Sequence, residues 1–212
     1  GYPAGEAEAT GTVEDSSGNG FHGTPINGLA ARPGYSCYAG YFNGEDQYVE
    51  IDDQSAFEDT AYLTLAAWIY PEEIRQGNGT NARGIMAKRE RPSSNAAFGL
   101  FFWNGQQPKL YVDIDTNNNR FASKASFSAK EWRHIAVVFD GTLPKAERVT
   151  VYVDGQFDSQ GFEKSSYIPD YNSNLYIGNL YYGKNQLKVF KGLIDEVRVI
   201  GKALSAEEIN AI

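Results

Sequence analysis

The stretch that most constrains the fold is Trp132–Gly155, WRHIAVVFDGTLPKAERVTVYVDG. Its first part, 132–139, is apolar at nearly every position, which is typical of a strand buried on both faces. Residues 149–153 then alternate valines with a polar or an aromatic residue. The Asp154-Gly155 pair favours a type I′ turn, because that turn needs positive φ at both central positions. The stretch therefore predicts two central strands and the start of a third.

Composition and turn spacing extend this prediction to the whole chain. Hydrophobic residues make up 42% of the sequence and aromatic residues 14%, and there are 22 glycines. Aromatic and β-branched residues suit pleated surfaces, and glycine serves turns. Strands of about five to nine residues, separated by regular turns, predict an all-β, two-sheet antiparallel sandwich. No linker divides the chain, so we expect a single domain over residues 1–212.

Charge narrows the classes of partner. The net charge is −8 and the pI is about 4.8. Because nucleic-acid binding needs clustered lysine and arginine, we expect no nucleic-acid partner. No run approaches the roughly 18 apolar residues of a membrane span, so we expect no membrane insertion. An acidic surface suits an extracellular protein, and its carboxylates could hold a hard cation.

The glycine-rich loop at Glu14–Gly23, EDSSGNGFHG, is a candidate cation site. Asp15, Ser17 and Asn19 carry oxygen at alternate positions, a spacing that could wrap calcium. The alternative is an Asx-rich turn that satisfies its own backbone. The residues alone leave both interpretations open.

Several strands are predicted from alternation. Segments 39–42 and 47–51 flank Asn43–Asp46, which indicates a hairpin. Residues 62–70 alternate aliphatic with bulkier or polar side chains and predict a long strand. Its Trp68 and the later Trp132 are expected in the core.

The C-terminal part combines a strand with a helix signal. In LIDEVRVI at 193–200, alternation places Asp195 on the same face as Leu193, Val197 and Val199. A carboxylate in line with buried aliphatic residues needs a partner, since an unpaired buried charge is costly. Ser205–Glu208 reads S-x-x-E, a capping box that predicts one short C-terminal helix.

Four segments together resemble the laminin-G-like family of concanavalin A-like jelly rolls. They are DSSGNGFHG at 15–23, FNGEDQYVEI at 42–51, WRHIAVVFDG with VTVYVDG within 132–155, and GLIDEVRVIGKALSAEEI at 192–209. Their order and spacing fit the family over nearly the whole chain. The passage Cys37–Gly44 is also similar to the laminin-G-like module of a bacterial MSHA-type pilus protein.

The resemblance implies a jelly-roll β-sandwich with one structural calcium. In such domains the aspartate of the "IDEV" strand approaches the glycine loop. Carried over, side-chain oxygens would come from Asp15, Asn19 and Asp195, and carbonyl oxygens from the neighbourhood of His22, Gly23 and Thr24. Without an ion, Asp195 is expected to accept N–H bonds from the glycine loop.

The leading functional hypothesis is a carbohydrate-binding module, because aromatic faces stack on sugar C–H groups while amides and carboxylates bind hydroxyls. The candidate contacts are Tyr167, Tyr171, Asn179, Tyr181, Tyr182, Lys184 and Asn185. Trp103 with Asn104 and Gln106 forms a second cluster. The alternative for these aromatics is that they cover the ends of the sheets.

Two other classes of function remain. One is a protein-binding or spacer module of a pilus or adhesin, which the sequence barely separates from a glycan-binding module. The other is a glycoside hydrolase, which needs two carboxylates about 5–10 Å apart. The segment Glu50-Ile51-Asp52-Asp53 comes nearest to the E-x-D-x-x-E pattern of carboxylates on one strand face. It lacks the second glutamate, because that position is Ser55. We therefore expect that the protein is not an enzyme. We expect a monomeric module of a larger extracellular or bacterial cell-surface chain, and the resemblance of Cys37–Gly44 implies association with a pilus.

Overall fold

The computed structural model describes residues 7–8, 11–74, 82–91, 94–103, 108–115, 120–180 and 188–212. The strands are β1 (Ala7–Glu8), β2 (Gly23–Ile26), β3 (Ala30–Pro33), β4 (Tyr38–Asn43), β5 (Tyr48–Ile51), β6 (Tyr62–Pro71), β7 (Arg83–Arg91), β8 (Ser94–Trp103), β9 (Lys109–Ile114), β10 (Phe121–Ala122), β11 (Arg133–Asp140), β12 (Val149–Val153), β13 (Gln156–Gly161), β14 (Leu175–Ile177) and β15 (Lys191–Ile200). A 3₁₀ turn covers Ser55–Phe57, and helix α1 covers Ala206–Asn210.

The strands form two antiparallel sheets that enclose one main core. The eight-stranded sheet has the order β1-β3-β4-β15-β6-β11-β12-β13, and the seven-stranded sheet has the order β10-β9-β8-β7-β14-β5-β2. Each strand turns alternate side chains toward the space between the sheets, as the period of two requires. The prediction of an all-β jelly-roll sandwich is confirmed. Strands β7 to β10 form an antiparallel meander.

The central hairpin is the one predicted. Strand β11 pairs with β12 on one side and with β6 on the other. Ile135, Val137 and Phe139 of β11 join the main core. Asp154 and Gly155 have φ values of 52° and 74°, as the type I′ turn requires.

The predicted hairpin at Asn43–Asp46 is wrong. Strand β4 belongs to the eight-stranded sheet and β5 to the seven-stranded sheet, so this turn carries the chain from one sheet to the other. Asn43 Oδ1 accepts the N–H groups of Glu45 and Asp46 and fixes the turn. A turn motif defines a local reversal, and it carries no information on whether the flanking strands pair.

The predicted facing of β15 is also wrong. The register with β6 shifts between Asp195 and Arg198, where Glu196 has a φ of 49°. This β-bulge inserts one extra residue and reverses the facing of the residues beyond it. Asp195 lies opposite Trp68, which alternates with core residues on β6, so both face outward. Val199 packs against the core instead.

The C-terminal helix is confirmed with its capping box, formed by Ser205 and Glu208. Ile209 packs on the outer face of the eight-stranded sheet. Its contacts there form a small second core with Ala66, Ala136, Val138 and Tyr152. The C-terminal segment therefore covers part of this outer face.

Candidate functional site

Cross-strand register gathers aromatic side chains on the outer face of the eight-stranded sheet, next to the part that α1 covers. Trp68 on β6 pairs with His134 on β11 and with Asp195 on β15. Tyr70 lies two residues along β6 and therefore on the same face. The rings of Tyr70 and Trp132, the residue just before β11, are 5.5 Å apart.

A loop adds a fourth ring. Tyr35, in the connection between β3 and β4, stacks on Trp68 with a centroid distance of 3.5 Å and an interplanar angle of 11°. Its ring also approaches Trp132 edge-on at 6.0 Å. Tyr35 is 53% exposed, whereas Trp68, Tyr70 and Trp132 are half-buried. We call Tyr35, Trp68, Tyr70 and Trp132 the aromatic surface.

Asp195 holds the Tyr35 loop in place. Its Oδ2 accepts the N–H of Ser36 at 2.8 Å, and its Oδ1 accepts the N–H of Glu196 at 2.9 Å. The residue is 8% exposed. A Cβ atom at Gly34 would lie 2.5 Å from Asp195 Oδ2 and 2.8 Å from the Ala39 nitrogen. Glycine therefore permits the close approach of the loop to the carboxylate.

Two sequence predictions about this region are wrong. Trp68 and Trp132 lie on the outer face of the sheet and outside the core. For Trp68, the alternation with Leu65, Ala67 and Ile69 was the sequence signal of an outward-facing side chain. The N–H groups bound by Asp195 come from residues 36 and 196, and not from the glycine loop.

Polar groups border the aromatic surface. The Arg32 guanidinium lies 3.2 Å from the centre of the Tyr41 ring and 3.6 Å from the Glu72 carboxylate. The Tyr41 hydroxyl donates to Glu72 at 3.2 Å. Burial, and then the charge of Glu72, raise the pKa of Tyr41. Cys37, in the same loop as Tyr35, is an exposed free thiol.

His134 lies beneath the aromatic surface. It is 4% exposed, and its ring centre is 5.3 Å from that of Trp68. Among the residues that the structure describes, none forms a hydrogen bond with its Nε2. Burial lowers the pKa of His134, the charge of Arg198 lowers it further, and Asp154 opposes both effects. The imidazole is therefore neutral in the folded protein at pH 7.

The glycine loop is organised by Asp15. Its carboxylate accepts bonds from the N–H of Ser17 at 2.9 Å, the Ser17 hydroxyl at 2.7 Å and the N–H of Phe21 at 3.1 Å. These bonds, led by that of the Ser17 hydroxyl, lower the pKa of Asp15 to about 2. The Asp15 N–H donates to His22 Nδ1, and the Asn19 amide donates to Ser17. The loop is thus an Asx-type turn with an ionised carboxylate.

The other predicted calcium ligands are less favourably placed. The carboxylate of Asp195 and the carbonyl of Gly23 already accept N–H bonds, the latter from Val13. Thr24 is exposed on β2. Asp15 and Asp195 do line one cavity, of about 730 Å³. Across the described ranges, no three His, Cys, Asp or Glu side chains are grouped as a metal site.

The donor chemistry therefore fits calcium only in part. Asp15 and Asn19 supply oxygens suited to a hard cation. Asp195 is committed to the Tyr35 loop. Calcium binding stays a prediction, and Asp15 is the residue on which it depends.

The tyrosine-rich loops are only partly within the described residues. Tyr167 is 50% exposed. Tyr171 donates its hydroxyl to Asp115, and burial and this bond raise the pKa of Tyr171 to about 12. Asn179 is fully buried, and its Oδ1 accepts the N–H groups of residues 180 and 188, so it closes its loop. The candidates Tyr181, Tyr182, Lys184 and Asn185 lie outside the described residues, as do Asn104 and Gln106.

Comparisons with known proteins define the family. The laminin G model described as the concanavalin A-like lectin/glucanases superfamily matches residues 43–210. None of the curated proteins compared with the chain matches it. In the described part of the chain, no helix has the length and apolar character of a membrane span.

Solved structures share the fold at low sequence identity. Domain 4 of an extracellular GH43 arabinanase from Geobacillus stearothermophilus, in complex with arabinotriose, has a TM-score of 0.69 at 20% identity, over 94% of this chain and 91% of that one. A SAP-like pentraxin from Limulus polyphemus has a TM-score of 0.54 at 15% identity, over 71% and 69%. Botulinum neurotoxin type C, whose cell entry depends on interaction with two ganglioside molecules, has a TM-score of 0.66 at 9% identity, over 97% and 50%.

Replacing Asp195 tests its role as the anchor of the Tyr35 loop. Asp195→Ala removes two bonds from N–H groups to a carboxylate, each worth about 1.5–3 kcal/mol. We expect the free energy of unfolding to fall by about 2–4 kcal/mol in urea denaturation, less than the sum of the two bonds because Ser36 is exposed and water can satisfy its N–H group. Tryptophan fluorescence should change as Tyr35 leaves Trp68. Asp52→Ala, at an exposed aspartate, is the control. Equal stability of the two variants would contradict the anchoring role.

His134 makes stability depend on pH. Because the folded pKa of His134 lies below the unfolded value of about 6.5, the unfolded chain binds the proton first. The contribution is fully present above about pH 6.5 and is lost as the pH falls below it. We expect the Tm to decrease from about pH 7.5 to 5.5, by about 2–4 °C for each kcal/mol lost, and to decrease less in His134→Gln. A slope in His134→Gln equal to that of the wild type would exclude His134 as the cause.

Calcium binding is tested by thermal unfolding of the chelated chain with and without millimolar calcium, with magnesium as the control ion. An ion that binds only the folded state, at about 100 times its Kd, adds about 2.7 kcal/mol. We expect calcium to raise the Tm by several degrees in the wild type and not in Asp15→Asn. An unchanged wild-type Tm would leave the loop as a plain turn.

Proposed function

Because the chain belongs to the concanavalin A-like lectin/glucanases superfamily, we propose that it is a non-catalytic module that binds a glycan through the aromatic surface. The observation that carries this proposal is the arrangement of four rings on one outer face. Three of them are half-buried, and Tyr35 is more than half exposed. Large ring surfaces beside a few polar groups are the usual composition of a small-molecule site.

The chemistry of the aromatic surface suits a sugar ring. A pyranose has apolar C–H patches on its faces and hydroxyl groups around its edge. The rings can cover the C–H patches without stripping water from the hydroxyls. Arg32 and Glu72 at the border offer a donor and an acceptor for those hydroxyls.

The aromatic surface is formed before any ligand arrives. Trp68 and Tyr70 are fixed by the register of β6, and Tyr35 is fixed by the bond from Ser36 to Asp195. Side chains that are already ordered lose little conformational entropy on binding, so more of the contact energy appears as affinity.

The fold neighbours support a glycan as the class of ligand. The arabinanase domain carries arabinotriose, and the type C toxin interacts with gangliosides. Both likenesses are below 25% identity, so they support the class of ligand and leave its identity to experiment.

The state of the buried carboxylates supports binding without catalysis. Burial raises the pKa of Glu58 and of Asp113, a property of general acids. Each of them, however, is ion-paired with a buried cation: Glu58 with Lys88 at 2.8 Å and Asp113 with Arg89 at 2.9 Å. Both cations belong to β7, on the sheet opposite the aromatic surface.

The second candidate function is binding of a protein on a cell surface. Tyr38 is 52% exposed near the Tyr35 loop, and exposed tyrosines and tryptophans are enriched at protein interfaces. This alternative, an extracellular or cell-surface location within a larger chain, and the pilus association all stay predictions.

The glycan proposal is tested by a glycan array followed by calorimetry with the strongest ligand. We expect Tyr35→Ala and Trp132→Ala each to weaken binding by about tenfold, or about 1.4 kcal/mol. Tyr62→Ala is the matched control, because Tyr62 is a 41% exposed tyrosine on the same face of β6.

Two results would contradict this assignment. A folded wild-type chain that binds no glycan on the array would favour a protein partner. A loss of affinity in Tyr167→Ala, with Tyr35→Ala unchanged, would move the site to the tyrosine-rich loop.

A further inference from the structure

A second aromatic cluster lies on the outer face of the seven-stranded sheet. Phe101 and Trp103 on β8 face outward, beside Tyr111 and Asp113 on β9. Phe101 stacks on Tyr111 with a centroid distance of 6.0 Å and an angle of 19°, and Trp103 lies 5.9 Å from Phe101. Trp103 and Tyr111 are half-buried, so part of each ring reaches solvent.

Two guanidinium groups share one carboxylate in this cluster. Arg89 Nη1 donates to Asp113 Oδ2 at 2.9 Å, and both side chains are fully buried. Arg120 Nε lies 3.4 Å from the other oxygen of Asp113. The Arg120 guanidinium also lies 3.6 Å from the centre of the Trp103 ring. Because arginine stays protonated, the cluster carries one excess positive charge.

The described residues leave Arg120 short of an acceptor. Its Nε is buried without a hydrogen bond, and Asp113 is the carboxylate with which it pairs in the described part of the chain. Its side chain is 23% exposed, so the rest of the guanidinium can reach a ligand. The sequence has no Asp or Glu in the segments that flank these strands and loops, at 92–93, 104–107, 116–119 and 181–187.

An excess positive charge is unusual in a chain of net charge −8, and an uncompensated charge next to buried groups is costly. An anion would remove that cost. Arginine offers a planar pair of donors that matches a carboxylate, and aromatic rings beside it suit the C–H face of a sugar.

We infer that Arg120 binds the carboxylate of an acidic saccharide, such as a hexuronic acid, and that the C–H face of the same saccharide packs against Trp103. The excess positive charge of the cluster is the observation that argues for an anionic ligand. That this anion belongs to a saccharide rests on the proposed function. This site and the aromatic surface lie on opposite sheets, so each can be tested without the other.

The test is calorimetric titration of the whole chain with tri-galacturonate, with its uncharged methyl ester and with sodium sulfate. We expect the trimer to bind, the ester to bind at least about tenfold more weakly, and the affinity for the trimer to fall with ionic strength. Equal affinities for trimer and ester, or no binding of the trimer, would overturn the inference. If sulfate binds as tightly as the trimer, the site is a simple anion site, and the assignment of a saccharide as its ligand is overturned.

Variants locate the site. Arg120→Gln should weaken trimer binding at least about tenfold, and Arg120→Lys should fall between it and the wild type, because lysine keeps the charge and loses the planar pair of donors. Arg133→Gln is the matched control, since Arg133 is 21% exposed and pairs with Asp154 on the other sheet. Wild-type affinity in Arg120→Gln would overturn the assignment.

Two further measurements distinguish failure of the Arg120 site from failure of the aromatic surface and from loss of folding. The Tyr35→Ala/Trp132→Ala double variant should keep its affinity for the trimer, even where it loses the glycan of the aromatic surface. Loss of trimer binding in this double variant would place the trimer on the aromatic surface and overturn the separate site. Thermal unfolding checks that each variant is folded; if Arg120→Gln is not, Arg120→Lys and the methyl ester decide.

Discussion

Strand β6 lies between β15 and β11, and the register of its two ladders decides which side chains face the core and which face outward. One set of its residues fills the space between the sheets. The other set places Trp68 beside Asp195 and His134. A shift of one residue in either ladder would exchange the two sets, so the hydrophobic core and the aromatic surface are fixed by the same constraint.

Asp195 links this register to the site. The β-bulge just after Asp195 returns Val199 to the core and leaves the carboxylate on the outer face. There it binds the N–H of Ser36, which brings Tyr35 onto Trp68. Surface loops are usually more mobile than the strands that they connect. The bond to this single buried carboxylate holds the Tyr35 loop in position, so that the loop forms part of a preorganised binding face.

Local patterns predicted most of the fold and little of the site. Alternation indicated the central strands, Asp154-Gly155 indicated the turn after β12, and the capping box indicated the C-terminal helix. Each of these signals depends only on residues that are close together in the sequence. The turn at Asn43–Asp46 and the bulge after Asp195 depend on pairing between distant strands, which periodicity does not contain. The stacking of Tyr35 on Trp68 is non-local in the same way, whereas the outward facing of Trp68 could be read from β6 itself.

The three tryptophans distinguish the two outer faces of the sandwich, because Trp68 and Trp132 lie on the aromatic surface and Trp103 lies on the opposite sheet. The decisive measurement is a titration of the ¹⁵N-labelled chain with a neutral oligosaccharide selected on the array, with the three indole N–H signals recorded by NMR. We expect the signals of Trp68 and Trp132 to move with a common Kd while that of Trp103 stays in place. Movement of the Trp103 signal alone would contradict glycan binding on the aromatic surface.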